Sequence, residues 1–166
     1  RHESVVCGLS AKVGTACWWD GPVMRTGMKL ISWNIAGAGG LSDASRGSVI
    51  AALASARPDV VALQEVHRTS AEAVTAELAN IGLPHCHVSR KPGPKQPGKK
   101  SHGVLIASRF PLKRGKDRWR HEADYPELNA HVVIATEDDG DIEVICVHIP
   151  NGSGNGWKKV DAFNAL

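Results

Sequence analysis

Three apolar runs in this chain each end in a polar residue able to do chemistry. "KLISWN" ends at Asn34, "DVVALQE" ends at Gln64 and Glu65, and "IEVICVH" ends at His148, soon followed by Pro150, Asn151 and Gly152. An amide, a carboxylate and an imidazole held together suit a hard divalent cation and a phosphate group. Magnesium takes oxygen ligands, and one or two carboxylates suffice for it beside waters and substrate phosphates. Such chemistry needs a rigid mount. A strand buried on both faces provides one, and functional groups in open α/β sheets collect just past the carboxyl ends of strands. Taken singly, each residue also has an ordinary reading. Glu65 could be a solvated surface residue, Asn34 a turn residue beside Gly37 and Gly39, and His148 a satisfied core histidine.

Other clusters carry less. "GSGNG" at 152–156 lacks the spacing of a phosphate-binding P-loop and is not followed by Lys and Ser or Thr. The four cysteines, Cys7, Cys17, Cys86 and Cys146, form no C-x-x-C pair, so a cysteine zinc site is not indicated. Cys146, in "IEVICVHI", reads as a small core residue. In "HCH" only His85 and His87 could share a ligand, because successive strand residues point to opposite faces. This cysteine usage predicts a reduced, cytoplasmic protein.

The elements that must position the candidate residues follow an α/β order. "MKLISWN" is a predicted strand, and Ser42 or Asp43 can cap the helix after the glycine-rich turn. Val49, Ile50, Leu53 and Ala54 recur at helical spacing, and Arg57 with Pro58 ends that helix. "DVVALQE" is a short strand. "TSAEAVTAELANIG" is a second predicted helix, with Thr69 and Glu72 at capping-box spacing and Gly82 as its stop. "PHCHVS" and "HGVLIASR" are predicted strands on either side of a proline- and glycine-rich loop. "NAHVVIATEDDGDIEVICVHI" is a predicted hairpin turning at Asp139 and Gly140, and "WKKVDAFNAL" begins a helix.

With 166 residues the chain can bury one core. No run reaches the roughly 20 apolar residues of a membrane span. The net charge of +3 is mild, but residues 90–120 are rich in Lys and Arg, among them Lys91, Lys95, Lys99 and Lys100, against Asp117 alone. Such a segment is either a solvated loop or a track for a polyanion. Residues 1–27 show no clear period and no secretory plan. They are expected to be an N-terminal tail outside the domain, with an ordered cap using Trp18 and Trp19 as the alternative.

Taken in order, "KLISWNIAG", "RPDVVALQEV", "HGVLIASRFPL" and "VHIPNGSGNGWKKVDAF" resemble the endonuclease/exonuclease/phosphatase superfamily, nearest its exonuclease-III-like and deoxyribonuclease-I-like members. The resemblance implies a four-layer α/β sandwich, of which residues 28–166 supply about the first half. It implies a divalent-metal-dependent phosphoesterase, using magnesium or alternatively manganese, with DNA favoured over RNA as substrate. Alternatives are a phosphatase or phosphodiesterase acting on a small or lipid phosphate ester, and a non-catalytic nucleic-acid-binding fragment. Carried over by position, Glu65 and Asn34 are the metal-site residues, with Asn34 orienting that site, and Asn34 and His148 are the catalytic residues. His148 stands beside the scissile phosphate, and Asn151 lies near substrate phosphate. Lys99 and Lys100 are expected to track the nucleic-acid backbone. Ala36 departs from an Asp common among the family's nucleases, and no "GDFN"-type or "SDH" segment occurs. The chain is therefore expected to be truncated before the later motifs, inactive alone, and prone to associate through an uncovered sheet face.

Overall fold

The computed structural model describes residues 4–7, 17–19, 28–35, 43–89, 102–115, 129–136 and 140–148. Two sheets pack face to face. The larger contains β2 (Cys17–Trp19), β3 (Leu30–Asn34), β4 (Val60–His67), β5 (His85–Val88) and β6 (His102–Ser108), in the order β2-β3-β4-β6-β5. The smaller contains β1 (Ser4–Cys7), β7 (Leu112–Arg114), β8 (Asn129–Thr136) and β9 (Gly140–Val147), in the order β1-β9-β8-β7. Helices α1 (Asp43–Ala56) and α2 (Ala71–Asn80) cover the outer face of the larger sheet. Three layers of the expected four-layer sandwich thus lie among the described residues.

Alternation along β4 builds both cores. Val60 and Ala62 face the smaller sheet, where they meet Val132, Ile134, Val144 and Cys146. Val61 and Leu63 face the helices, where they meet Leu53, Val74 and Leu78. Residues 60–63 are wholly enclosed, and burying each Val or Leu contributes about 1.5–3 kcal/mol. This explains why the run is continuously apolar: both of its faces are covered. β3 lies parallel to β4, with Asn34 opposite Gln64, and Ile35 N–H extends the ladder to Gln64 O at 3.1 Å.

The helix ends follow local rules in part. Arg57 takes φ +50 and donates its N–H to Leu53 O at 3.0 Å, closing α1 immediately before Pro58. Lys29 Nζ donates to Ala56 O at 2.8 Å, a cation at the negative end of the helix. At the end of α2, Gly82 takes φ +93 and Leu83 N–H reaches Leu78 O at 3.0 Å, the Schellman closure. The start of α2 differs from expectation. Thr69 and Glu72 form no capping box; Ser70 is the cap and makes no side-chain cap bond. Thr69 Oγ1 instead pairs with His67 Nδ1 at 2.7 Å, and Ser70 Oγ donates to His67 O at 2.9 Å. The end of β4 takes both hydroxyls.

Asp59 ties the starts of β3 and β4 to the end of β6. Asp59 accepts from Lys29 N–H at 2.7 Å and pairs with Arg109 at 3.2 Å. β8 and β9 form the expected hairpin, with Thr136 opposite Gly140. Periodicity indicated neither β7 nor the two strands within 1–27. β1 pairs parallel with β9 and β2 antiparallel with β3. Among the described residues Val88 alone is an exposed large apolar side chain, and no helix is long and apolar enough to cross a membrane.

Candidate active site

The site lies at the edge of the sandwich where β3 and β4 finish and β9 has just ended. β4 pairs with β6 in regular antiparallel register up to Leu63 opposite Leu105, then resumes with Val66 opposite Gly103. Three steps on β4 match two on β6, so one extra residue is inserted. This is a β-bulge, and Glu65 takes φ +59 within it. The left-handed conformation costs a residue with a side chain about 1–2 kcal/mol. Bulges of this kind re-aim side chains. Without the insertion, Glu65 would continue the row of Val61 and Leu63 under the helices. Val66 fills that place instead, 2% exposed.

Re-aimed, the Glu65 carboxylate meets the other two strand ends. Asn34 Nδ2 donates to Glu65 Oε1 at 3.0 Å, and His148 Nε2 lies 3.1 Å from the same oxygen. No hydrogen bond to Glu65 Oε2 occurs among the described residues. The Glu65 and His148 side chains retain 24% and 18% of their surface, enough for solvent to reach both. Burial lowers the proton affinity of His148 below the ordinary imidazole value, and the charge of His102 adds to this. The neighbouring Glu65 opposes both and does not overcome them. Neutral His148 must then donate Nε2–H to Glu65, which leaves Nδ1 as a proton acceptor.

Gln64, the residue before the bulge, turns the other way. It is wholly buried between the sheets, with Nε2 at 3.1 Å from Ser32 Oγ, 3.2 Å from Ala62 O and 3.2 Å from Cys146 Sγ. Its Oε1 is buried without a partner among the described residues. On the far side of the bulge, His67 stands opposite His102, their rings edge to face with centroids 5.5 Å apart. Thr69 N–H donates to His67 Nδ1 at 3.3 Å.

The structure thus brings Asn34, Glu65 and His148 together. Asn151, Lys99 and Lys100 lie outside the described residues. The sequence reading placed Gln64 at the end of the apolar run but not inside the core, and it overlooked His67 and His102 as neighbours of the site. The signal for Gln64 was available, since a polar side chain inside an apolar strand needs a buried partner. Among the described residues no group of three or more His, Cys, Asp and Glu side chains could hold a metal. A closed site of structural zinc type is therefore not formed by them. His85 and His87 flank Cys86, whose thiol is directed at Leu83 O, 3.6 Å away, and whose pKa burial raises.

Two packed sheets, helices on one outer face and polar residues gathered at one edge define an α/β sandwich. Residues 31–161 match the model of the Endonuclease/Exonuclease/phosphatase family, and the chain belongs to that family. No curated protein matches the chain. Solved structures do. An endonuclease/exonuclease/phosphatase from Beutenbergia cavernae is 22% identical, with a TM-score of 0.59 over 82% of this chain and 41% of its own. D. rerio TDP2, complexed with single strand DNA product, is 17% identical, with a TM-score of 0.56 over 82% of this chain and 52% of its own. ANGEL2, a 2',3'-cyclic phosphatase in complex with adenosine-2',3'-vanadate, is 16% identical, with a TM-score of 0.57 over 93% of this chain and 50% of its own. At these identities the likeness is one of fold. The chain spans about half the length of these structures or less.

Proposed function

We propose that this chain carries the cation-holding edge of a divalent-metal-dependent phosphoesterase acting on DNA. The observation that supports the reading most is the convergence of Asn34 and His148 on one oxygen of Glu65. The other carboxylate oxygen is left for a hard cation, and a single carboxylate on a rigid strand suits magnesium, with manganese as the alternative. Members of this family generally use divalent metals. When bound, such an ion neutralises charge developing on the phosphate and on the leaving oxygen.

The protein groups have separate roles. Glu65 supplies the anionic ligand. Asn34 fixes the rotation of that carboxylate through its Nδ2–H bond and turns its own Oδ1 away from Oε1. His148 stands beside the scissile phosphate, and its Nδ1 can take a proton there. Asn151 contacts substrate phosphate. Lys91, Lys95, Lys99 and Lys100 follow the nucleic-acid backbone, positioning the substrate without reading its sequence. Free thiols at Cys86 and Cys146 accord with a reducing cytoplasm. The fold of ANGEL2 supports a second reading, hydrolysis of a smaller phosphate ester.

The test is magnesium-dependent hydrolysis of abasic-site DNA, linear duplex DNA and a phosphoinositide by the protein carrying this chain. Glu65→Gln is expected to lower the rate by orders of magnitude. Full activity in that variant, or activity undiminished by EDTA, would refute the reading. Preference for the phosphoinositide would favour the second reading.

A further inference from the structure

Gln64 touches each of the three strands that reach the site, one step before the site begins. Ser32, on its Nε2, lies two residues before Asn34 in β3. Cys146, also on Nε2, lies two residues before His148. Gln64 itself is followed by Glu65. The amide orientation is set by Ala62 O, which can only accept, so nitrogen must face it. We propose that Gln64 is the positioning residue of the site, its side-chain amide fixing where β9, and so His148, stands relative to Glu65 and Asn34.

The physical case rests on direction. β3 and β4 are aligned by their own backbone ladder. β9 belongs to the other sheet and shares no ladder with them. Apolar contacts between the sheets set their separation, but such contacts are non-directional and tolerate a slide along the strand. A hydrogen bond does not tolerate it. The bond from Gln64 Nε2 to Cys146 Sγ, at 3.2 Å, is a directional tie between the sheets immediately beneath the site. Cys146 Sγ also lies 3.9 Å from Leu63 O, on the same strand as Gln64. A slide of about 1 Å would disturb the 3.1 Å contact of His148 Nε2 with Glu65 Oε1, and misplacements of that size are costly in catalytic sites. A core role alone does not account for the residue. An apolar side chain of equal length would fill the space and would bury no orphan acceptor, whereas Gln64 Oε1 has no partner among the described residues.

This inference rests on the reading of Asn34, Glu65 and His148 as a cation site. The probe is Mn2+ alone, titrated by electron paramagnetic resonance into the protein carrying this chain and into its Gln64→Met variant, with Glu65→Gln as control. Thermal unfolding reports whether each variant is folded. Folded Gln64→Met is expected to bind Mn2+ about 10–100-fold more weakly, the usual effect of losing a group that orients a ligand. Affinity within about twofold of the unaltered chain would overturn the inference and leave the site reading intact. If Gln64→Met does not fold, Ser32→Ala and Cys146→Ala carry the test. Each removes one acceptor and leaves the amide in place, and each is expected to weaken binding; unchanged affinity in both overturns the inference. No Mn2+ binding by the unaltered chain, or binding indifferent to Glu65→Gln, refutes the site reading and the inference with it.

Discussion

Leu63 and Val66, three residues apart in one strand, face the same layer of helices. Strict alternation would put them on opposite faces. The extra residue that reconciles them is Glu65, at φ +59. The backbone conformation and the site are thus one feature: the same distortion that returns Val66 to the core takes the carboxylate out of it.

The first prediction tests that distortion. Glu65→Gly and Glu65→Ala both remove the carboxylate and its bonds to Asn34 and His148, so their difference isolates the backbone. In an ordinary strand Gly is the weaker of the two by about 0.5–1 kcal/mol. At Glu65 the order should reverse, with Gly more stable than Ala by about 1–2 kcal/mol in urea unfolding. Equal stabilities, or Ala ahead, would show that Glu65 is not held in the left-handed region.

A second prediction concerns the smaller sheet. His131 Nε2 lies 2.6 Å from Glu143 Oε1, and the His131 side chain is almost wholly buried. A Cβ on Gly115 would clash with the His131 ring. Held by Glu143, the ring has little freedom to turn away. Gly115→Ala should therefore cost about 1–3 kcal/mol, measured by chemical denaturation. A neutral result would mean that the ring is not fixed where it stands.

The third prediction is a pH dependence. The folded protein holds the His148 pKa below its ordinary 6.5, through burial first and His102 second. The unfolded chain then binds this proton more readily than the folded one. The resulting contribution to stability is complete above pH 6.5 and is lost as pH falls through the folded value. In EDTA, the unfolding midpoint of the unaltered chain should decline on acidification over that window, and His148→Gln should flatten part of the decline. Identical profiles would exclude His148 as the titrating group.

The fourth prediction separates polymer from small ester. Binding to duplex DNA, followed by fluorescence anisotropy, should weaken linearly in log affinity against log salt. Replacing Lys99 and Lys100 with Ala should reduce the slope by about 0.9 for each phosphate contact removed. A slope unaltered by both changes would remove these lysines from the interface.

Much of this was legible in the residues. β4 was readable because four apolar residues in succession, Val60 to Leu63, demand cover on both faces, and the polar residues after them marked the candidate carboxylate. Gly82 and Pro58 act within their own turns, so their stops for α2 and α1 could be read locally. Thr69 could not, because its hydroxyl had a rival partner in His67, at a strand end that capping rules do not consider. β1, β2 and β7 are short and without period, and each exists through its pairing, β1 with the distant β9 and β2 and β7 with the strand that follows.

Residue types and alternation, which depend on near neighbours alone, put Asn34 and His148 at strand ends and marked Glu65 where the apolar run stops, although β4 itself continues to His67. They could not settle that these ends share one edge. That depended on β9 crossing to the second sheet and on a one-residue bulge that no propensity announces. Gln64 belongs to the same category: its partner Cys146 is 82 positions away, and only packing two sheets together gives its amide something to hold.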